Sequence, residues 1–180
     1  MKVLETALPG VLLLEPPAFS DARGQFFESY NRRTLADLGL AVDFVQDNHS
    51  ISTRAVLRGL HYQIQQPQGK LVRVVVGEVL DVAVDLRRSS PHFGRWATFV
   101  LSAANRRMAW IPPGFAHGFL VRSATAEFLY KTTDYWAPAF ERTVRWDDPQ
   151  LAIDWQLSDA PILSAKDASG ALLSEAETFV

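Results

Sequence analysis

The 180-residue sequence contains no cysteine, which removes disulfides, thiolate nucleophiles and thiolate metal sites from consideration. It also has little net charge. Eighteen lysines and arginines against 20 aspartates and glutamates leave a formal charge of -2, so nothing attracts nucleic acid or an anionic membrane globally. A charged ligand must instead be held by local clusters of arginine and lysine. Long apolar stretches are scarce: Val11-Leu12-Leu13-Leu14 is too short for a signal core, Glu5 precedes it, and Pro9, Pro16 and Pro17 interrupt it. The cytoplasm is therefore the expected compartment, where Asn48-His49-Ser50, a glycosylation sequon by pattern, has no physical meaning. Internal repeats, low-complexity tracts, domain linkers and a Gly-x-Gly-x-x-Gly loop are all missing, so a dinucleotide-binding fold has no support.

What is present, 48% hydrophobic and 21% charged residues, suits one globular domain over residues 1–180 with a good-sized core. Short apolar segments broken by glycine, proline and Asx residues predict an all-β barrel or sandwich with short peripheral helices. From Leu71 the even positions Val72, Val74, Val76, Leu80, Val82, Val84 and Leu86 are apolar, while Arg73, Asp81 and Asp85 fall on odd ones. That alternation predicts two faces of a sheet with a bend at Gly77-Glu78, the odd face being either the lining of a barrel interior or a solvated exterior. Further strands are expected at 26–30, 45–52, 56–63, 96–101, 117–121 and 126–132. Helices are expected at 31–38, ending at Gly39, and around 171–176.

The densest chemistry is in Arg58-Gly59-Leu60-His61-Tyr62-Gln63, followed by Gln68-Gly69-Lys70. A histidine and a lysine on neighbouring strands can take a proton and hold the negative charge left behind, which suggests carbanion chemistry. The expected face of the first strand carries Leu57, Gly59, His61 and Gln63. Gly59 either leaves room for a ligand or marks a bulge or backbone crossing. A second motif runs from Trp110 to Phe119, where Pro112, Pro113 and Gly114 set a rigid turn before His117. Pro-x-Gly-x-x-His is shared with metal-binding cupins, but the first motif here supplies one imidazole, His61, and no spacing supplies a carboxylate for a facial triad. His49 and His92 look like strand-margin and loop residues, and no metal is expected. A third group is Phe128-Leu129-Tyr130-Lys131-Thr132-Thr133-Asp134-Tyr135-Trp136, with Glu141-Arg142 beyond it. Its tyrosine and tryptophan are either packing residues or a proton-donating phenol and a stacking face for a nucleobase.

Together these motifs resemble the dTDP-4-dehydrorhamnose 3,5-epimerase family. The ordered matches run from Asp21-Ala22-Arg23-Gly24 and Phe26-Phe27-Glu28, through Phe44 to Ser50, Val56 to Gln63 and Gln68 to Val74. They continue through Gly77 to Arg87, Ser90 to Gly94 and Trp110 to Phe119, and end at Leu163 to Asp167. The resemblance implies a cupin-like jelly roll that needs no cofactor, and a homodimer whose N-terminal arm, about residues 1–50, is exchanged or packed across the interface. It implies His61 as general base with Asp167 as its carboxylate partner, Lys70 against the enolate oxygen, and Tyr130 as the opposing acid. Arg23 and Arg58 would hold the pyrophosphate, and Phe26, Glu28, Gln46, Asp47, Asn48, His117, Glu141 and Lys166 would contact nucleotide and sugar. Trp136 stands where the family often has a stacking tyrosine; it keeps the flat ring and loses the hydroxyl. Gln25 likewise replaces a more usual aromatic.

The implied reaction is inversion of dTDP-4-dehydro-6-deoxy-D-glucose at C3 and C5 to dTDP-4-dehydro-L-rhamnose. A mono-epimerase acting at one carbon would share nearly every motif. A silent cupin that only binds a nucleotide sugar would have no need of a base and an acid together.

Overall fold

Among the described residues, which are 1–4 and 6–180 of a computed structural model, the chain forms thirteen strands, two short α-helices and one 3-10 turn at Pro138–Phe140. Glu5 lies outside them. In chain order they are β1 (Lys2–Leu4), β2 (Leu12–Glu15), β3 (Ala18–Asp21), β4 (Gly24–Phe27), α1 (Arg32–Asp37), β5 (Gln46–Thr53), β6 (Leu57–Gln63) and β7 (Lys70–Val76). There follow β8 (Glu78–Asp85), β9 (Trp96–Ser102), β10 (Met108–Ile111), β11 (Phe115–Val121), β12 (Thr125–Thr132), β13 (Glu141–Thr143) and α2 (Ala165–Ala168).

Two antiparallel sheets face each other as a cupin-like jelly roll. The first, in order β1-β2-β10-β7-β12-β5, has six strands, and the second, β13-β6-β11-β8-β9, has five. Val72 and Val74 from one sheet meet Val79, Ala83, Phe99, Phe119 and Phe128 between them. Burial of each such side chain stabilises the fold by roughly 1.5–3 kcal/mol. A second cluster covers the outside of the five-stranded sheet, where Leu57, Leu60, Tyr62, Leu80, Val82 and Val84 pack against Trp155 and Leu173 from the C-terminal segment. On the outside of the six-stranded sheet, Leu71, Met108 and Trp110 are covered by Leu35 and Leu40.

The even-numbered apolar row between 72 and 86 is not one face. Gly77, at φ 78, carries the chain from the six-stranded sheet into the five-stranded one, and the inward parity changes there. Val72 and Val74 point inward on β7, but Val79 and Ala83 do so on β8. Arg73 therefore lies on an outer face and Asp81 inside the barrel, so the two alternatives open in the sequence are each realised, on different strands.

Helix α1 forms where expected. Asn31 caps it by accepting from the backbone of Arg33 and Thr34, and Gly39, at φ 87, ends it with its N–H on the Ala36 carbonyl. The expected helix at 171–176 does not form. Ala171 is held as a β-bridge to Val144, and the Leu173 N–H is taken by the Asp148 carboxylate, which leaves only a turn through 173–175. The strand expected at 26–30 stops at Phe27, because the Glu28 carboxylate accepts from Asn31 and Thr34 at the start of α1.

Candidate active site

Strand β6 owes its local shape to two glycines. Gly59 takes φ 120, and a methyl group there would lie 2.6 Å from the Gly118 Cα of β11. A Cβ on Gly118 would in turn meet the Arg58 carbonyl at 2.6 Å. This is the backbone crossing among the readings of Gly59. The ladder shifts register here, between His117 and Phe119, and breaks the alternation of β6. Leu57 therefore does not share a face with His61. It joins Leu60 and Tyr62 in the outer cluster, while Arg58 and His61 both line the barrel interior.

Two adjoining hollows, of about 280 and 210 Å³, share His61, Lys70, Tyr130 and Glu141. The first is also bordered by Gln46, Asn48 and Trp136, and the second by Arg58, His117, Phe119, Phe128 and Lys166. Roomier depressions lie on the outer face of the six-stranded sheet and beside the β3–β4 hairpin, but neither contains His61 or Lys70. Because β6 and β12 belong to opposite sheets, His61 and Tyr130 reach the shared space from opposing walls.

His61 is bonded through Nε2 to the Asp167 carboxylate at 2.5 Å. Its remaining nitrogen, Nδ1, has no hydrogen-bond partner among the described residues. Burial lowers the His61 pKa and outweighs the opposing pull of Asp167, so the imidazole is neutral near pH 7. For Asp167 burial works upward, but bonds from His61 and Ser164 hold the carboxyl below its ordinary value. Ser164 caps α2, accepting from the Asp167 backbone N–H and donating its hydroxyl to the second carboxylate oxygen. Sequence reasoning gave this serine no role, although Ser-x-x-Asp is a helix-start pattern.

Lys70 lies on the inward face of β7 with Val72 and Val74, and among the described residues its ammonium donates only to the His61 carbonyl, at 3.3 Å. Burial pulls its pKa down to about 8, against support from Glu141 and Asp81. The result is a dry cation without a bonded carboxylate. Tyr130 is raised by burial first and by Glu141 second, so its phenol is protonated at neutral pH. Glu141 itself pairs with Lys166 at 2.9 Å. Arg58 is steadied by Ser52, which accepts from its Nε and Nη2.

Trp136 stands at the edge of the first hollow with 57% of its surface exposed, and its backbone N–H donates to Gln46. Gln63 bonds the flanking backbone of Tyr135 and Ala137. The indole is thus an open face on an anchored turn. His117 is buried, stacked on Phe128 and bonded through Nε2 to Asp81 at 2.8 Å. The Nε2 atoms of His61 and His117 are therefore both committed to carboxylates. Among the described residues no group of three or more histidines and carboxylates is arranged to hold a metal.

Asp167 stands behind His61 rather than lining either hollow, and four further candidate residues lie away from both. Arg23 is paired with Asp21 on the β3–β4 hairpin, with 90% of its side chain exposed, and Phe26 beside it is 72% exposed. Glu28 is occupied at α1. Asp47 alternates with Gln46 and Asn48 on β5, so it faces outward and pairs with Lys131. His49, in the middle of β5 rather than at its margin, faces outward too and meets Glu127.

The sequence profile of the dTDP-4-dehydrorhamnose 3,5-epimerase family matches residues 5–175. The dTDP-4-dehydrorhamnose 3,5-epimerase of Pseudomonas aeruginosa is 61% identical over 180 residues, covering 99% of both chains. That of Salmonella typhimurium is 56% identical, covering 98% of this chain and 97% of its own. Among solved structures, dTDP-6-deoxy-D-glucose-3,5-epimerase from Legionella pneumophila in complex with dTDP-4-keto-L-rhamnose superposes with a TM-score of 0.95 at 50% identity. It covers 98% of this chain and 94% of that one.

Proposed function

The chain belongs to the dTDP-4-dehydrorhamnose 3,5-epimerase family, and from that premise we infer how its residues carry out the family's isomerisation. The substrate is dTDP-4-dehydro-6-deoxy-D-glucose, inverted at C3 and C5 to dTDP-4-dehydro-L-rhamnose. The observation that carries the reading is the convergence of His61, Lys70 and Tyr130 on one space from two opposed sheets.

The C4 ketone acidifies the hydrogens on C3 and C5, because removal of either leaves an enolate with its charge mainly on oxygen. His61 takes the proton through Nδ1, and Asp167 holds the imidazolium that forms. Lys70 faces the enolate oxygen. A buried ammonium aimed at developing charge is worth more than water, and removing such a donor costs about 3–4 kcal/mol in the transition state. Tyr130 returns a proton to the opposite face, which inverts the centre. Arg58, Lys166 and His117 supply charge and donors for the pyrophosphate and sugar, and Trp136 offers its ring to thymine.

Arg23, Phe26 and Glu28 enter this scheme through a homodimer in which the β3–β4 arm completes the partner's site. Their exposure in the single chain supports that assignment, as do Phe19 and Phe26 standing uncovered on an otherwise isolated two-stranded sheet. NMR of the purified protein with the ketosugar nucleotide in heavy water tests the function. Deuterium at both C3 and C5 of an L-rhamno product is expected, and no exchange at either carbon would overturn it.

A further inference from the structure

Asp81 stands between Val79 and Ala83 on the inward face of β8 with none of its surface exposed, whereas Asp85, at the end of the strand, is bonded to Arg87 and Ser90. One carboxylate oxygen is bonded to His117 Nε2, and the other, Oδ1, has no partner among the described residues. An ionised carboxylate inside an apolar cluster costs several kcal/mol unless its charge is balanced. An apolar residue would fill the same space more stably, so a purely architectural role does not account for Asp81.

The balancing charges lie around the second hollow. Arg58 from β6, Lys70 from β7 and Lys166 from α2 bring three cations. Glu141 from β13 and Asp167 behind His61 bring two anions, but the first is held by Lys166 and the second by His61. His117 from β11 and Tyr130 from β12 complete the titratable groups facing Lys70. Asp81 is thus bonded to His117 alone, and its charge adds to the larger influence of Glu141 in favouring the Lys70 ammonium.

We propose that Asp81 is a positioning residue for the epimerisation, fixing His117 by its Nε2 so that Nδ1 is left for the ligand, while its buried charge adds to that of Glu141 around Lys70. The inference rests on the function proposed above. It adds a group that touches no substrate atom and acts through two that do.

The test uses the intact protein and begins with turnover of the unaltered enzyme, since an inactive parent would defeat the functional reading rather than this one. Asp81→Asn keeps the shape and an acceptor for His117 but removes the charge. Expected are a kcat/KM at least about tenfold lower at pH 8 and a descending limb of the pH profile displaced by about one unit toward acid. Binding of dTDP at pH 6.5 should change less than about threefold, because Trp136 and the base edge are untouched. A D81N enzyme with the parent's profile and rate would overturn the proposal. Should the variant fail to fold, ¹⁵N-histidine spectra of the unaltered protein decide: His117 protonated on Nε2 from pH 6 to 9 is expected, and an Nδ1-protonated tautomer would reject the assignment.

Discussion

His61 and His117 are direct partners across the β6–β11 ladder, and each is tied through Nε2 to a carboxylate from a different element, Asp167 on α2 and Asp81 on β8. Two imidazoles side by side are thereby given fixed orientations, both with Nδ1 as the remaining nitrogen. The surroundings differ: His61 is partly accessible at the junction of the two hollows, whereas His117 is stacked on Phe128.

The acid and base limbs of catalysis follow from these environments. Burial lowers His61, so the ascending limb of kcat/KM should fall below pH 6.5, the ordinary imidazole value. Burial brings Lys70 down to about 8, so the ammonium, and activity with it, should be lost as pH rises through that value. Tyr130 is shifted upward and stays protonated throughout. A pH–rate profile with its basic limb beyond pH 10 would contradict this assignment.

Replacing Tyr130 by phenylalanine separates deprotonation from inversion. The base and the oxyanion partner remain, so the variant should still wash substrate hydrogen into heavy water. Formation of the inverted product should drop by about 10²–10⁴-fold. Loss of exchange in proportion to loss of product would place the phenol in the first step instead.

The open indole of Trp136 invites a binding experiment. Trp136→Ala should weaken dTDP by about 1–3 kcal/mol in calorimetry, the usual worth of a base stacked on an aromatic ring, while Trp136→Tyr should stay within about 1 kcal/mol. Equal affinities for all three proteins would remove the base from this ring.

The β6–β11 contact gives a prediction about stability. Gly118→Ala places a methyl group 2.6 Å from the Arg58 carbonyl, where backbone on both sides must move. A loss of about 2–4 kcal/mol is expected, which for a chain of this size lowers Tm by roughly 5–15 °C. Thermal unfolding checks it, and an unchanged melting point would mean that the two strands are farther apart.

Much of the fold was legible because period-two alternation is strong wherever a strand has one wet and one dry face. β5, β9 and β12 lie close to their expected ranges for that reason, whereas β6, β8 and β11, buried on both faces, were legible as short apolar runs between turn residues. β1, β2, β3 and β13 are only three or four residues long, too short for periodicity to register, and β10 was hidden inside a motif that reads as a proline turn. The parity change at Gly77 is a tertiary event: a bend shows where the chain turns, not that it leaves one sheet for another. In the site, His61, Lys70 and Tyr130 were visible as chemistry and by family likeness. That they share a cavity depends on the facing of two sheets, which no local pattern encodes. Ser164 escaped because its part is to hold Asp167, and a serine at a helix start is ordinary.

Lys70 makes the protein less stable than it need be. Its ammonium is dry and bonded to one carbonyl, with no carboxylate in contact among the described residues, so exchanging it together with the buried Asp81, for methionine and asparagine, should raise the melting temperature while abolishing turnover. Selection for robustness alone would therefore erode this enzyme from the inside, and a thermostability screen without an activity filter would enrich for its inactive form.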